Sequence, residues 1–134
     1  MTSLHVHPHR FWFTLPLGLF LMLDVSFTLI WQPASYWAGD WRTANEANPI
    51  AYWLLEVCPW LFAASAAIWA ILLSVIVMKW NSRLSNTLAM VVAVAHAFGG
   101  SSWLLHHGDW GFALAGGYLL LASQFCFWCW ANGQ

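Results

Sequence analysis

Four long apolar stretches constrain this chain more than any other feature. They occupy residues 11–31, 58–78, 84–105 and 111–130. A helix needs about 20 residues to cross about 30 Å of hydrocarbon, and each stretch meets that length. The runs are continuous rather than alternating, which predicts helices instead of a β-barrel. We therefore expect an all-α membrane protein, with residues 1–134 forming one domain of four transmembrane helices.

The balance of charged and apolar residues agrees with a lipid environment. Only 7% of the residues are charged, 61% are hydrophobic, and the 134 residues include 12 Trp. A soluble domain of this length cannot enclose so much apolar surface. Nucleic acid is excluded as a partner, because phosphate binding needs clustered basic side chains and the chain has only four Lys and Arg.

The basic residues predict the orientation in the membrane. Arg10 precedes the first span, and Lys79 and Arg83 lie between the second and third, whereas only Arg42 falls on the opposite side. By the positive-inside rule, both termini are expected in the cytoplasm. We predict that the chain is integral to a prokaryotic cytoplasmic (inner) membrane.

Residues 48–57 predict a short helix at the outer interface, separate from the second span. Joining them to that span would give about 45 Å of helix, which exceeds the bilayer. Pro59 disrupts helical hydrogen bonding, so we expect a break near Cys58. Asn48 is a good helix cap and Pro49 suits a first turn, which predicts a helix over about 49–57.

Two ionisable residues, Asp24 and His96, lie inside the predicted spans. Both fall slightly to the outer side of the span midpoints, so they share a level in the bilayer. A contact between them would give each a hydrogen-bond partner, and Thr28 lies one turn beyond Asp24 on the same face. The pair is either an interhelical structural contact or a site for proton relay, a metal or a pigment, with His96 as the ligand of a haem or chlorophyll-type group.

A second polar cluster is expected at the outer mouth. Its members come from the first and last connections: Asp40, Glu46, Asn48, Glu56, His106, His107 and Asp109. Carboxylates and imidazoles bind zinc and other divalent ions, so Glu46, His106, His107 and Asp109 are the candidate metal ligands. His96 and His107 cannot share an ion, because about 16 Å of helix separates them. The alternative is a solvated polar rim, and no HExxH zinc signature is present.

Two motifs lie toward the predicted cytoplasmic side. His5, His7 and His9 alternate in a Pro-containing stretch, which is typical of either a transition-metal tract or a polar anchor. Cys126 and Cys129 lie three residues apart on the last span, as either a redox or metal pair or two small buried residues.

Small residues predict where the third and fourth spans pack. Ala95 and Gly99 lie on one helix face, and Ala113 and Gly117 lie on another. Spacings of four allow close approach of membrane helices. Because few residues join the two spans, we expect these faces to meet in an antiparallel hairpin.

One set of these residues resembles a known pattern. Asp24 and Thr28, followed by Glu46-Ala47-Asn48-Pro49, are similar to the D-x-x-x-T and E-x-N-P motifs of an uncharacterised family of small four-span prokaryotic membrane proteins. The resemblance covers about residues 20–80. It implies the four-helix fold and a joint role for Asp24, Glu46 and Asn48, but no activity.

Two function classes follow. In the first, the chain is an accessory or structural subunit of a larger membrane complex, in contact with lipid and with other membrane subunits, and contributes a cofactor or pigment ligand through His96. In the second, it is a metal-dependent intramembrane hydrolase in which Glu46 or the outer histidines hold an ion that activates water. The first class is favoured, because a catalytic metal needs three converging ligands and the chain has no evident nucleophile motif.

Overall fold

The computed structural model describes residues 8–80 and 83–133 of the chain. All regular structure in these two ranges is helical. The helices are α1 (Phe11–Ile30), α2 (Ala34–Trp37), α3 (Pro49–Val57), α4 (Pro59–Lys79), α5 (Arg83–Leu104) and α6 (Gly111–Gly133), with short 3-10 turns at Pro8–Arg10, Trp41–Thr43 and Gly108–Trp110. The predicted all-α class is confirmed.

Four of these helices, α1, α4, α5 and α6, are long and apolar enough to cross a membrane. Their bounds lie within a few residues of the four predicted spans. We use "outer end" for the end of the bundle that carries the connection 31–58, and "inner end" for the end where α4 leads into α5. This protein is therefore a membrane-embedded helical bundle.

The short helix α3 begins as the sequence predicts. Asn48 accepts hydrogen bonds from the backbone amides of Ile50 (3.0 Å) and Ala51 (3.4 Å), and Pro49 occupies the first turn. Cys58 has an extended backbone, with φ −173° and ψ 133°, and separates α3 from α4. Cys58 and Pro59 thus divide the long apolar stretch into two helices.

Helix α1 is the central element and packs against α4, α5 and α6. At the inner end its residues Phe13 and Leu17 form a buried cluster with Leu73 and Val77 of α4 and Ala89 of α5. Two further buried clusters lie nearer the outer end: Phe20 with residues of α5 and α6, and Leu21 and Val25 with residues of α2, α3 and α4.

The predicted contact between the small residues of α5 and α6 is wrong in its details. The two helices do pack together, but through Ala93 and Ala97 on one side and Ala122 and Cys126 on the other. Gly117 faces open space. Gly99 instead approaches α1, because a Cβ there would lie 2.8 Å from a carboxylate oxygen of Asp24.

Candidate functional site

Asp24 of α1 and His96 of α5 are in direct contact. Nδ1 of His96 lies 2.9 Å from Oδ2 of Asp24. The side chain of Asp24 is 21% exposed and that of His96 is 29% exposed, so the pair is not sealed between the helices. Gly99, one turn after His96, provides the room that the Asp24 carboxylate occupies. The predicted contact is present, and it uses only one of the two imidazole nitrogens of His96.

Thr28 of α1 is hydrogen-bonded to Trp103 of α5, a residue that the sequence motifs do not include. Its hydroxyl accepts a hydrogen bond from Nε1 of Trp103, at 3.1 Å. Trp103 also stacks on Trp31, with ring centroids 6.3 Å apart. This network ties α1 to α5 one turn farther out than the Asp24–His96 pair. A tryptophan near a span end gives no signal in sequence that separates such a role from an interfacial anchor.

A cavity of about 440 Å³ opens beside the pair, and we call it the cleft. Helix α1 forms its floor, α4 and α5 form its two sides, and the connection before α3 forms its outer edge. Its lining is Leu21, Asp24, Val25, Thr28, Glu46, Asn48, Ala51, Phe62, Ala66, Trp69, Ala95, His96, Gly99, Ser102 and Trp103. Trp69 of α4 is 52% exposed and Ala95 of α5 is also exposed, so the cleft opens sideways between α4 and α5.

The outer edge of the cleft is held by local hydrogen bonds. Oε1 of Glu46 accepts a bond from the backbone amide of Asn48, at 2.8 Å. Gln32 bonds the backbone of Asn45 with both ends of its amide and also donates to the carbonyl of Thr28. These bonds fix the connection to the end of α1, so that Glu46 and Asn48 line the same cleft as Asp24.

The predicted metal site at the outer mouth does not form. Among residues 8–80 and 83–133, no three His, Cys, Asp or Glu side chains lie close enough together to hold a metal ion. His107 packs edge-on against Trp31, and Nδ1 of His106 lies 3.2 Å from the carbonyl of Ser102. Asp109 is exposed in a 3-10 turn. A 3-10 turn at Gly108–Trp110 follows the two histidines before α6 begins.

The other predicted outer residues also lie apart from the cleft. Glu56 lies 4.0 Å from Nε of Arg42, where an exposed ion pair contributes little to stability. Asp40 is exposed, and its backbone carbonyl accepts hydrogen bonds from Thr43. Of the outer cluster, only Glu46 and Asn48 therefore line the cleft, whereas His106 lines a smaller neighbouring cavity with Glu46.

The remaining motifs are the cysteine pair of α6 and the N-terminal histidines. Cys126 and Cys129 are both buried on α6, as expected for small core residues. His5 and His7 lie outside the described residues, and His9 is exposed at the start of the bundle. In sequence, Arg10 carries only a charge that indicates orientation. In the structure it is buried, and its guanidinium donates to the carbonyls of Val77 and Trp80 at the end of α4.

Ser102 lines the cleft but is not arranged as a nucleophile. Its hydroxyl donates to the carbonyl of Gly99 at 2.6 Å, within its own helix. Ser101 makes the equivalent bond to Phe98 and is buried. An activated serine needs a hydrogen bond to its base, and no such bond joins His96 to either hydroxyl in the described contacts. What the cleft presents is an imidazole oriented by a carboxylate.

Known proteins add no further assignment. No protein-family model, no curated protein sequence and no solved structure matches this chain. The resemblance to the D-x-x-x-T and E-x-N-P pattern therefore stays a prediction. Asp24, Thr28, Glu46 and Asn48, four of the five defined residues of that pattern, line one cleft, and the fifth, Pro49, begins α3.

Proposed function

We propose that this protein is a non-enzymatic accessory membrane protein that holds a ligand in the cleft between α4 and α5, with the Asp24–His96 pair as its polar anchor. One observation carries the proposal: the pair lies in the wall of an open cavity of about 440 Å³ and is partly exposed there. Ionisable groups inside a membrane domain are costly and usually serve a site. A purely structural pair is better served by complete burial between helices.

The geometry of His96 supports this role. Because Asp24 is bonded at Nδ1, Nε2 is the ring nitrogen that the pair does not use. A carboxylate on one nitrogen fixes the imidazole for binding through the other, as in histidine ligands of metals. A haem or chlorophyll-type pigment bound through Nε2 is therefore one form of the proposed ligand. An intramembrane hydrolase has weaker support, because no three-ligand metal centre converges in the part of the chain that the structure describes.

Purification of the full-length protein from its native membrane in mild detergent tests the proposal. Wild type should retain one small molecule per chain, detected by mass spectrometry of the extract. His96→Ala should lower the retained amount by about tenfold, equivalent to about 1.4 kcal/mol of binding free energy. His107→Ala is the matched control, because His107 is exposed and does not line the cleft. Equal ligand content in wild type and His96→Ala, or none in wild type, would contradict the proposal.

The same preparation distinguishes two narrower forms of the proposal. A visible absorption band that disappears in His96→Ala would identify a tetrapyrrole. Co-purifying protein chains would support a subunit of a larger complex, whereas a pure ligand-bound monomer would contradict that part. Asp24→Asn should lower ligand content at unchanged yield if the pair is functional, and should lower the free energy of unfolding if the pair is only structural.

We further propose that both termini lie in the cytoplasm and that the host membrane is a prokaryotic inner membrane. The support is the positive-inside distribution of Arg10, Lys79 and Arg83 against Arg42. Labelling of single cysteines introduced near each end of the bundle, from outside intact cells, tests this orientation. Protection of a cysteine near the C-terminus together with labelling of one in the connection 38–48 is the expected result.

A further inference from the structure

A second, shallow and largely open hollow adjoins the cleft and differs from it in chemistry. It measures about 470 Å³ and its surface is almost wholly apolar. We call it the groove, and its lining is Thr87, Met90, Val91, Val94, Ala95 and Trp130. Ala95 lines both hollows. The cleft and the groove therefore meet at Ala95.

The groove and the cleft lie one after the other along helix α5. The groove runs along α5 from Thr87 to Ala95, which is about 12 Å at about 1.5 Å per residue. The cleft continues along α5 to Trp103, for about 12 Å more. Polar groups are concentrated in the outer part, and the inner part offers only apolar side chains and the edge of Thr87. This division matches a molecule with a polar head and a long apolar chain.

The charge of the cleft selects the head group. Asp24 and Glu46 line it, and no Lys or Arg is among its lining residues. Its walls also carry three aromatic side chains, Phe62, Trp69 and Trp103. Carboxylates and aromatic ring faces both attract ammonium groups, and the attraction is strongest where water is scarce. A phosphate or carboxylate head would instead meet two acidic side chains, and the one basic group of the lining, the imidazole of His96, is already bonded to Asp24.

We propose that the ligand of the cleft is a long-chain amphiphile with a single cationic ammonium head. The head lies against Asp24, Glu46 and the indole rings, and the alkyl chain follows the groove toward Trp130. This inference rests on the proposed ligand-binding function and names the chemical class of the ligand. The sideways opening between α4 and α5 lets such a molecule enter directly from the bilayer.

Chain-brominated probes test the proposal, because bromine quenches tryptophan fluorescence on contact. The full-length protein in neutral phosphatidylcholine nanodiscs is titrated with brominated hexadecyltrimethylammonium, hexadecanol and hexadecanoic acid. The ammonium probe should quench saturably and bind at least about tenfold more tightly than the alcohol, with the acid weakest. Glu46→Gln should remove most of this preference, whereas the exposed Asp109→Asn should not.

A matched pair of substitutions tests the path of the chain. Ala95→Leu should block the junction of cleft and groove and weaken the ammonium probe by about tenfold. Ala113→Leu makes the same change at an exposed position of α6 and should leave binding unchanged. Equal weakening by both variants would contradict the proposed path.

The outcomes separate the two proposals. If the three probes bind equally and His96→Ala weakens all of them, the ligand-binding function stands and the cationic head is wrong. If none binds saturably while a co-purified molecule still depends on His96, the amphiphile is wrong and the function again stands. If no probe binds and no co-purified molecule depends on His96, both proposals fail.

Discussion

The same three helices, α1, α4 and α5, pack differently in the inner and outer halves of the bundle. In the inner half, Leu73 and Val77 of α4 and Ala89 of α5 close over Phe13 and Leu17 of α1 in one buried cluster. In the outer half, α4 and α5 lie apart on either side of the cleft, and α1 forms its floor. The change from close packing to an open cleft occurs along α1, α4 and α5 without a break in any of these helices.

This difference assigns separate tasks to the two halves. Helices in lipid gain little from hydrophobic burial, so their association depends on close packing and on polar contacts. Between α4 and α5, the inner half is closely packed, whereas the outer half has an open cavity; the buried clusters of Phe20 and of Leu21 hold the outer half together on its other sides. We infer that packing of the inner half and of these clusters stabilises the bundle and leaves the space between α4 and α5 free to hold a site.

The largest expected effect is at Phe13, which is 0% exposed in the inner cluster. Phe13→Ala should lower the free energy of unfolding by about 3–5 kcal/mol, because the lost ring leaves a cavity between α1, α4 and α5. Reversible unfolding in mixed micelles measures the change. Phe112→Ala is the control, because Phe112 is 82% exposed on α6 and its loss should cost far less. Similar losses for both variants would show that the inner cluster does not depend on the ring of Phe13.

The next effect concerns Arg10, also at the inner end. Its guanidinium donates to the carbonyls of Val77 and Trp80, where α4 ends. Arg10→Met should cost about 2 kcal/mol, because a hydrogen bond from a charged group is worth about 1.5–3 kcal/mol. Arg83→Met is the control, since Arg83 is exposed at the start of α5. A change no larger than that of the control would show that Arg10 does not secure α4.

A smaller effect is expected at Tyr36, in the outer connection. Its buried hydroxyl donates to the carbonyl of Leu55 at 3.1 Å. Burial, and to a smaller extent the nearby thiol of Cys58, raises the pKa of Tyr36 above 10.0. The folded state therefore favours the neutral phenol. This contribution to stability is fully present below about pH 10 and is lost as the pH rises through the raised pKa.

Tyr36→Phe should cost about 1 kcal/mol at neutral pH and should flatten the alkaline decline in stability. Unfolding measured between about pH 8 and pH 11 tests both statements. Tyr52→Phe is the control, because its hydroxyl donates to the carbonyl of Arg42 at an exposed position. An unchanged alkaline decline in Tyr36→Phe would contradict the assignment.

The smallest effect on stability is expected at Gly99, where an added Cβ would lie 2.8 Å from Oδ2 of Asp24. Gly99→Ala should displace the carboxylate, yet change the free energy of unfolding by less than about 1 kcal/mol, since interhelical hydrogen bonds in membranes average about 0.6 kcal/mol. Ligand content should nevertheless fall. Gly117→Ala meets no atom within 4 Å and is the control. A large loss of stability in Gly99→Ala would contradict the division of tasks between the halves.

Much of the fold could be predicted from the sequence because each signal was local. The span bounds follow from continuous apolar runs, and the start of α3 follows from Asn48 and Pro49. The Asp24–His96 contact was also predictable, since two ionisable groups at one depth in lipid have few other partners.

The remaining features depend on packing that the sequence does not encode locally. Gly99 had the correct spacing for an α5–α6 contact, yet it packs against α1 because the Asp24 carboxylate needs the space. The outer histidines share a short stretch with Asp109, but the turn after α5 directs them apart. Arg10 was used only to predict orientation and Trp103 only lies near a span end, so their hydrogen bonds are revealed by their partners in space.

The distance in sequence between Asp24 and His96 has a consequence for biogenesis. The two residues are 72 positions apart, on the first and third spans. At a synthesis rate of about 5–20 residues per second, His96 emerges about 4–14 s after Asp24. During that interval the first span has an acidic group without its imidazole partner. Insertion of α1 therefore carries the cost of one unpaired acidic group, about 2.5–3.5 kcal/mol at a helix centre, until α5 arrives.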